Sequence, residues 1–156
     1  MRKIGKILLI GTLALGMAAC GKADADDYST GFVSYEEIQD EFEKTSDKLN
    51  WPEGYEVPDS IDSEKDDASY QKGFGATRAS LYWETAWEKE WLETYKTDPS
   101  RAEKALKELE KAKDMTYMSE AKCDDATREY FAKILEMAKN GGPSGFEENI
   151  KLNSPE

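Results

Sequence analysis

The sequence predicts an all-α fold, a small bundle of about four helices. Three observations lead there. Apolar residues recur at helical spacing in four separate segments. Cap and stop residues bracket those segments. Alternating strand patterns and internal repeats do not occur in the sequence.

The first helix is expected over 35–49. Ser34 and Glu37 form a capping box, and Val33 with Ile38 forms the hydrophobic staple. Ile38, Phe42, Thr45 and Leu49 then repeat at helical spacing. NWPEGYEVPDSIDSEK, residues 50–65, holds two prolines and a glycine and reads as a loop, pinned to the core by Trp51 and Tyr55. The acids Asp59, Asp62 and Glu64, with Asp66 just beyond, lack the glycine and the terminal glutamate of a calcium loop. They read as a solvated run, and no metal is expected.

A long helix is expected over 68–96, with Asp66 or Asp67 as its cap. Gly73 and Gly75 fall in its first turns, each costing about 1 kcal/mol against alanine. Asp98 and Pro99 cap and open a third helix, which runs to 113 with Ala102, Ala105, Leu106, Leu109 and Ala112 as its apolar stripe. Residues 115–122 form a connection. The fourth helix covers 125–139, capped by Asp124 or Asp125, with Tyr130, Phe131, Ile134, Leu135 and Ala138 facing inward. Asn140-Gly141-Gly142-Pro143 stops it. Phe146, Ile150 and Leu152 in the tail strap across the bundle.

LYWETAWEKEWLETY, residues 81–95, is the most unusual stretch. Trp83, Trp87, Trp91 and Tyr95 are each four apart and fan over about a third of the helix circumference. Tyr70, Phe74, Leu81 and Leu92 widen the arc to about half. That is the shape of a core face, and a central helix. Glu84 and Glu88 lie inside the arc, one turn apart. A carboxylate among tryptophans must be paired, hydrogen-bonded or neutral. Two readings stay open. The two glutamates satisfy donors within the core. Alternatively, Glu84 and Glu88 with Trp83, Trp87 and Trp91 form an acidic, aromatic-walled pocket for a cation.

Several activities are disfavoured. The chain has no histidine, so triads and His-metal sites lack their base or ligand. Gly73-Phe74-Gly75 lacks the length and the lysine of a phosphate loop. Glu84 and Glu88 are the one helical pair that a carboxylate hydrolase would use, yet acid and nucleophile should flank the scissile bond rather than share a side. The bases number 21 against 33 acids, so a basic phosphate-binding face, and nucleic acid with it, is not expected. The acidity is uneven: residues 22–70 carry 16 acids and 4 bases, residues 71–156 carry 17 and 14. The first of these reads as a solvated tether and entry segment.

The chain opens with MRKIGKILLIGTLALGMAAC. Arg2, Lys3 and Lys6 precede an eleven-residue apolar run, Ile7 to Met17. This is too short for a membrane span, which takes about 20 residues, and has the order of a secretory signal. Met17-Ala18-Ala19-Cys20 resembles a bacterial lipobox, with methionine where leucine is commoner. The resemblance implies cleavage before Cys20 and a diacylglyceryl thioether on its sulfur. Two acyl chains hold a protein firmly at a membrane where one does not. Cys123 is then left without an intramolecular partner and is expected as a small buried apolar residue. Ala79 to Leu92, centred on Ala86-Trp87-Glu88, is similar to a segment in uncharacterised lipoproteins of Gram-positive bacteria.

The expected organisation is therefore a signal peptide over 1–19, a lipidated acidic tether over 20–31 and a helical domain over 32–156. The expected role is a non-enzymatic interaction module at the extracytoplasmic face of the cell membrane. Its partners would be the membrane, through the lipid on Cys20, and a surface or envelope protein. No cofactor is expected. The alternatives are a binder of a small cationic ligand and a carboxylate hydrolase.

Overall fold

The computed structural model describes residues 31–61 and 68–155. The signal segment, Cys20, the tether to Thr30, and the acids Asp62, Glu64, Asp66 and Asp67 lie outside the described residues. The fold is all-α: helices α1 (Tyr35–Ser46), α2 (Phe74–Thr94), α3 (Pro99–Leu109), α4 (Asp125–Lys139) and α5 (Ser144–Asn153). Two tight 3-10 turns, Glu110–Asp114 and Thr116–Met118, join α3 to α4. Among the described residues a small sheet pairs β1 (Phe32–Val33) with β2 (Tyr70–Gln71), antiparallel, Val33 opposite Tyr70.

The entry to α1 follows from its residues. The Ser34 side chain accepts from the Glu37 amide, and the Glu37 carboxylate accepts from the Ser34 amide. Val33 packs with Ile38 in one apolar cluster. The helix ends at Ser46, three residues earlier than its spacing predicts. The Trp51 indole donates at 3.0 Å to the Ser46 carbonyl, which also accepts from the Leu49 amide, and stacks flat on Tyr55 at 5.3 Å.

The start of α2 differs more. The periodicity predicts a helix from 68, but the backbone is extended at Tyr70–Gln71 and turns at Gly73, where φ is +86°. The cap comes from another helix. The Glu41 carboxylate of α1 accepts from the Gly73 amide at 2.9 Å and the Gly75 amide at 3.2 Å. A carboxylate there meets both orphan N–H groups and the positive end of the helix dipole. Gly75 lets α1 and α2 touch: a Cβ at that position would lie 1.9 Å from the Ile38 carbonyl oxygen.

Helix α2 is central. One side packs on α1 through Ile38, Phe42, Ala79 and Tyr82. The other packs on α3, α4 and α5 through Trp83, Trp87, Trp91, Leu109, Ile134 and Phe146. Glu90 and Arg101 add a two-pronged ion pair between α2 and α3, both contacts 2.7 Å. The tail, expected as a strap, is a fifth helix. Gly141 turns the chain with φ +81°, and Gly145 then presses on Ile134, where a Cβ would come within 2.8 Å. Phe146, at the start of that helix, meets Trp91 edge-on at 5.3 Å.

Candidate functional site

Glu84 and Glu88 stand one turn apart on α2, on the side that faces α5 and the Thr116–Met118 turn. Both are buried, Glu84 at 6% and Glu88 at 0% exposure. The Tyr117 hydroxyl donates to Glu84 Oε2 at 2.5 Å. Asn149 of α5 donates through one nitrogen, Nδ2, to Glu84 Oε1 at 3.1 Å and to Glu88 Oε1 at 2.8 Å. Asn153, one turn along α5, donates to Asn149 Oδ1 at 2.8 Å and so turns the NH2 group toward the carboxylates. Glu88 Oε2 is buried with no hydrogen-bond partner.

Every donor here is neutral. None of the ion pairs among the described residues reaches Glu84 or Glu88. Burial, and then the Glu84 charge, pushes the Glu88 carboxyl up to about 9, against a smaller opposing effect of the Asn149 hydrogen bond. Burial also raises Glu84, offset in part by Tyr117 and Asn149. The Tyr117 hydroxyl is held well above its ordinary value by burial and by the Glu84 carboxylate it serves. At neutral pH the pair therefore keeps at least one proton.

Glu84 opens onto a cavity of about 560 Å³ between α2, α4, α5 and the segment that leads into α4. Tyr117, Tyr130, Phe131, Asn149 and Asn153 also line it. The Tyr130 hydroxyl is buried without a hydrogen-bond partner. Cys123 lines the cavity too; it is half-buried, and burial raises its thiol. Beyond Phe131 lies a second cleft of about 320 Å³, ringed by Lys113, Arg128 and Lys139. Arg128 is paired with Asp125, and Lys139 with Glu110.

The predicted site residues thus separate. Glu84 reaches the cavity, and Glu88 lies behind it in the same hydrogen-bonded unit. Trp83, Trp87 and Trp91 do not wall it. They are 1–2% exposed and fill the core. The Trp87 indole donates to the Asn50 carbonyl at 2.9 Å, and Trp91 stacks on Tyr95 at 4.5 Å. The aromatic wall is made instead by Tyr117, Tyr130 and Phe131. Sequence reasoning missed Tyr117, which sits in a connection, and Asn149, which sits in the tail. One signal was present: Asn149 and Asn153 are four apart, so a helical tail puts both amides on one face.

Among the described residues no group of three or more Cys, Asp or Glu side chains is arranged to hold a metal. No protein-family model, curated protein or solved structure matches the chain.

Proposed function

We propose that this chain is a lipid-anchored extracytoplasmic binding module that takes a small cationic ligand at Glu84, and that it binds without catalysing a reaction. The observation that carries this reading is an electrostatic gap. Two buried carboxyls face neutral donors, one oxygen has no partner, and an open cavity adjoins Glu84. A cation supplies what that arrangement lacks, and aromatic rings beside the carboxylates favour it further. The anchor rests on the signal segment and on Met17-Ala18-Ala19-Cys20. No described helix is long and apolar enough to cross a membrane.

Two other readings fit less well. A hydrolase needs carboxyls on opposite sides of a bond. Glu84 and Glu88 accept from a single nitrogen, and Glu88 is fully enclosed. A protein-docking face calls for a contiguous apolar patch. The large exposed apolar side chains among the described residues are Phe32, Phe74 and Leu152, on three different elements.

Two measurements test the proposal. Mass spectrometry of membrane-extracted protein should find acyl mass on an N-terminal Cys20, lost together with membrane retention in Cys20→Ala. Thermal melts of the full chain in nonionic detergent should rise with alkylammonium salts and not with alkyl sulfonates at equal ionic strength. Glu84→Gln should abolish that rise. A free Cys20 thiol in the membrane-extracted protein would remove the anchor, and equal response to both salts would remove the cation site.

A further inference from the structure

We infer that the Glu84–Glu88 pair takes up a primary or secondary organic ammonium in exchange for a proton, so that binding is coupled to proton release. The inference rests on the cation-binding reading above and adds its chemistry. In the empty site one carboxyl O–H bond keeps the pair from carrying two charges. When R–NH3+ seats against Glu84, its charge replaces that proton. The O–H bond breaks, the proton leaves to solvent, and the electron pair stays on the carboxylate. Charge and atoms balance with no other reactant.

Geometry specifies the ligand class. The groups that line the cavity and can accept are the Glu84 carboxylate, whose oxygens keep lone pairs beyond those used by Tyr117 and Asn149, and the unpartnered Tyr130 hydroxyl, while the unpartnered Glu88 Oε2 lies enclosed behind Glu84. Acceptors call for N–H donors. A quaternary ammonium has none and depends on a cage of aromatic faces. The three tryptophans, the strongest such faces, are spent in the core, and the Tyr117, Tyr130 and Phe131 wall stands beside N–H acceptors. Asn149 enforces the coupling. Its single NH2 group serves both carboxyls, so neither can ionise without acting on the other.

The other charged and titratable groups around the pair leave it as the element that exchanges a proton. Tyr117 from the 3-10 turn and Tyr130 from α4 are both raised above 10, and Cys123 above 9. Asp124, lowered by the Thr127 amide that it caps, is already a carboxylate. Lys122 donates to the Lys72 carbonyl, and Glu148 of α5 acts on Tyr130. From α3, Arg101 is engaged by Glu90, and Lys104 lies over the Trp87 ring. From α1, Glu41 is occupied at the start of α2. Burial and mutual repulsion, which hold the Glu88 carboxyl at about 9, set the range over which exchange is visible.

The test is calorimetric titration of the full chain in nonionic detergent with n-butylammonium chloride, at pH 7.5, in two buffers of different ionisation enthalpy. Close to one proton should be released per cation bound. Affinity should rise with pH up to about 9, approaching tenfold per unit. Glu88→Gln should bind with a flat pH profile and no release. If that variant fails to fold, the wild-type side-chain carboxyl carbon-13 resonances serve instead, and one of the pair should move to its carboxylate position on titration. Binding without proton release overturns the exchange and leaves the cation site standing. Equal binding of tetramethylammonium overturns the ammonium assignment. No binding of either cation at pH 7.5 or 9, with helical circular dichroism intact, removes both this inference and the cation reading beneath it.

Discussion

At neutral pH the Glu88 carboxyl holds its proton, and that has a consequence for stability. In the unfolded chain the same group titrates near 4.5. Its folded value is raised, so between about 4.5 and about 9 the folded state binds more protons than the unfolded one. The contribution is fully present below about 4.5 and is lost as pH rises through about 9. The slope per group reaches at most about 1.4 kcal/mol per pH unit. Glu84, raised in the same direction, adds to it. Urea midpoints between pH 5 and 9 should fall with rising pH, and Glu88→Gln should flatten the fall. A profile flat in the wild type would contradict the burial of this group as an acid. The two glutamates were legible in the sequence because a carboxylate inside an apolar arc breaks the pattern around it. Asn149 and Tyr117 break no pattern. A lone amide in a short tail and a tyrosine in a connection carry no period, and only tertiary packing gives them their role.

Between elements, the contact of α1 with α2 concentrates on Gly75. Within a helix, glycine to alanine gains about 1 kcal/mol from propensity alone. Here the added methyl meets backbone, the Ile38 carbonyl oxygen at 1.9 Å, which no rotamer change relieves. Overpacking typically costs about 1–3 kcal/mol, and the cost should win. Gly75→Ala is expected to lower the urea midpoint, with the largest backbone chemical-shift changes near Ile38 and Glu41. A midpoint raised by the substitution would mean that the two helices are not in backbone contact. The same junction shows why helix boundaries were only partly readable. The termini set by local chemistry, Ser34 with Glu37 and Asp98 with Pro99, fall where their residues indicate. The start of α2 is set by Glu41, 32 residues upstream of Gly73, and no local signal announces it. The fifth helix went unread for a related reason. Its ten residues are too few for periodicity to declare, and packing of Phe146 and Gly145 against α2 and α4 holds it.

Over the whole molecule, the all-α class was legible because four amphipathic segments suffice to fix it. The position of the cavity was not, because it is bounded by segments distant in sequence. Charge acts at this scale as well. Downstream of residue 19 the net charge is −15, which enriches cations around the domain at low ionic strength. The Debye length at 0.15 M is about 8 Å, so salt should slow capture at the cavity mouth more than it weakens contacts inside. The clamp from Asn149 has a different kind of consequence, one of order in time. It reaches back 65 residues to Glu84 and 61 to Glu88. Loops of that span close slowly, after local helices and short-range contacts have formed. Until α5 docks, Glu88 has no donor and Glu84 has only Tyr117, so enclosure of this side of α2 is expected late in folding. Asn149→Ala should therefore speed unfolding in stopped-flow experiments and leave the folding limb almost unchanged. A slowed folding limb would instead place α5 among the first elements to assemble.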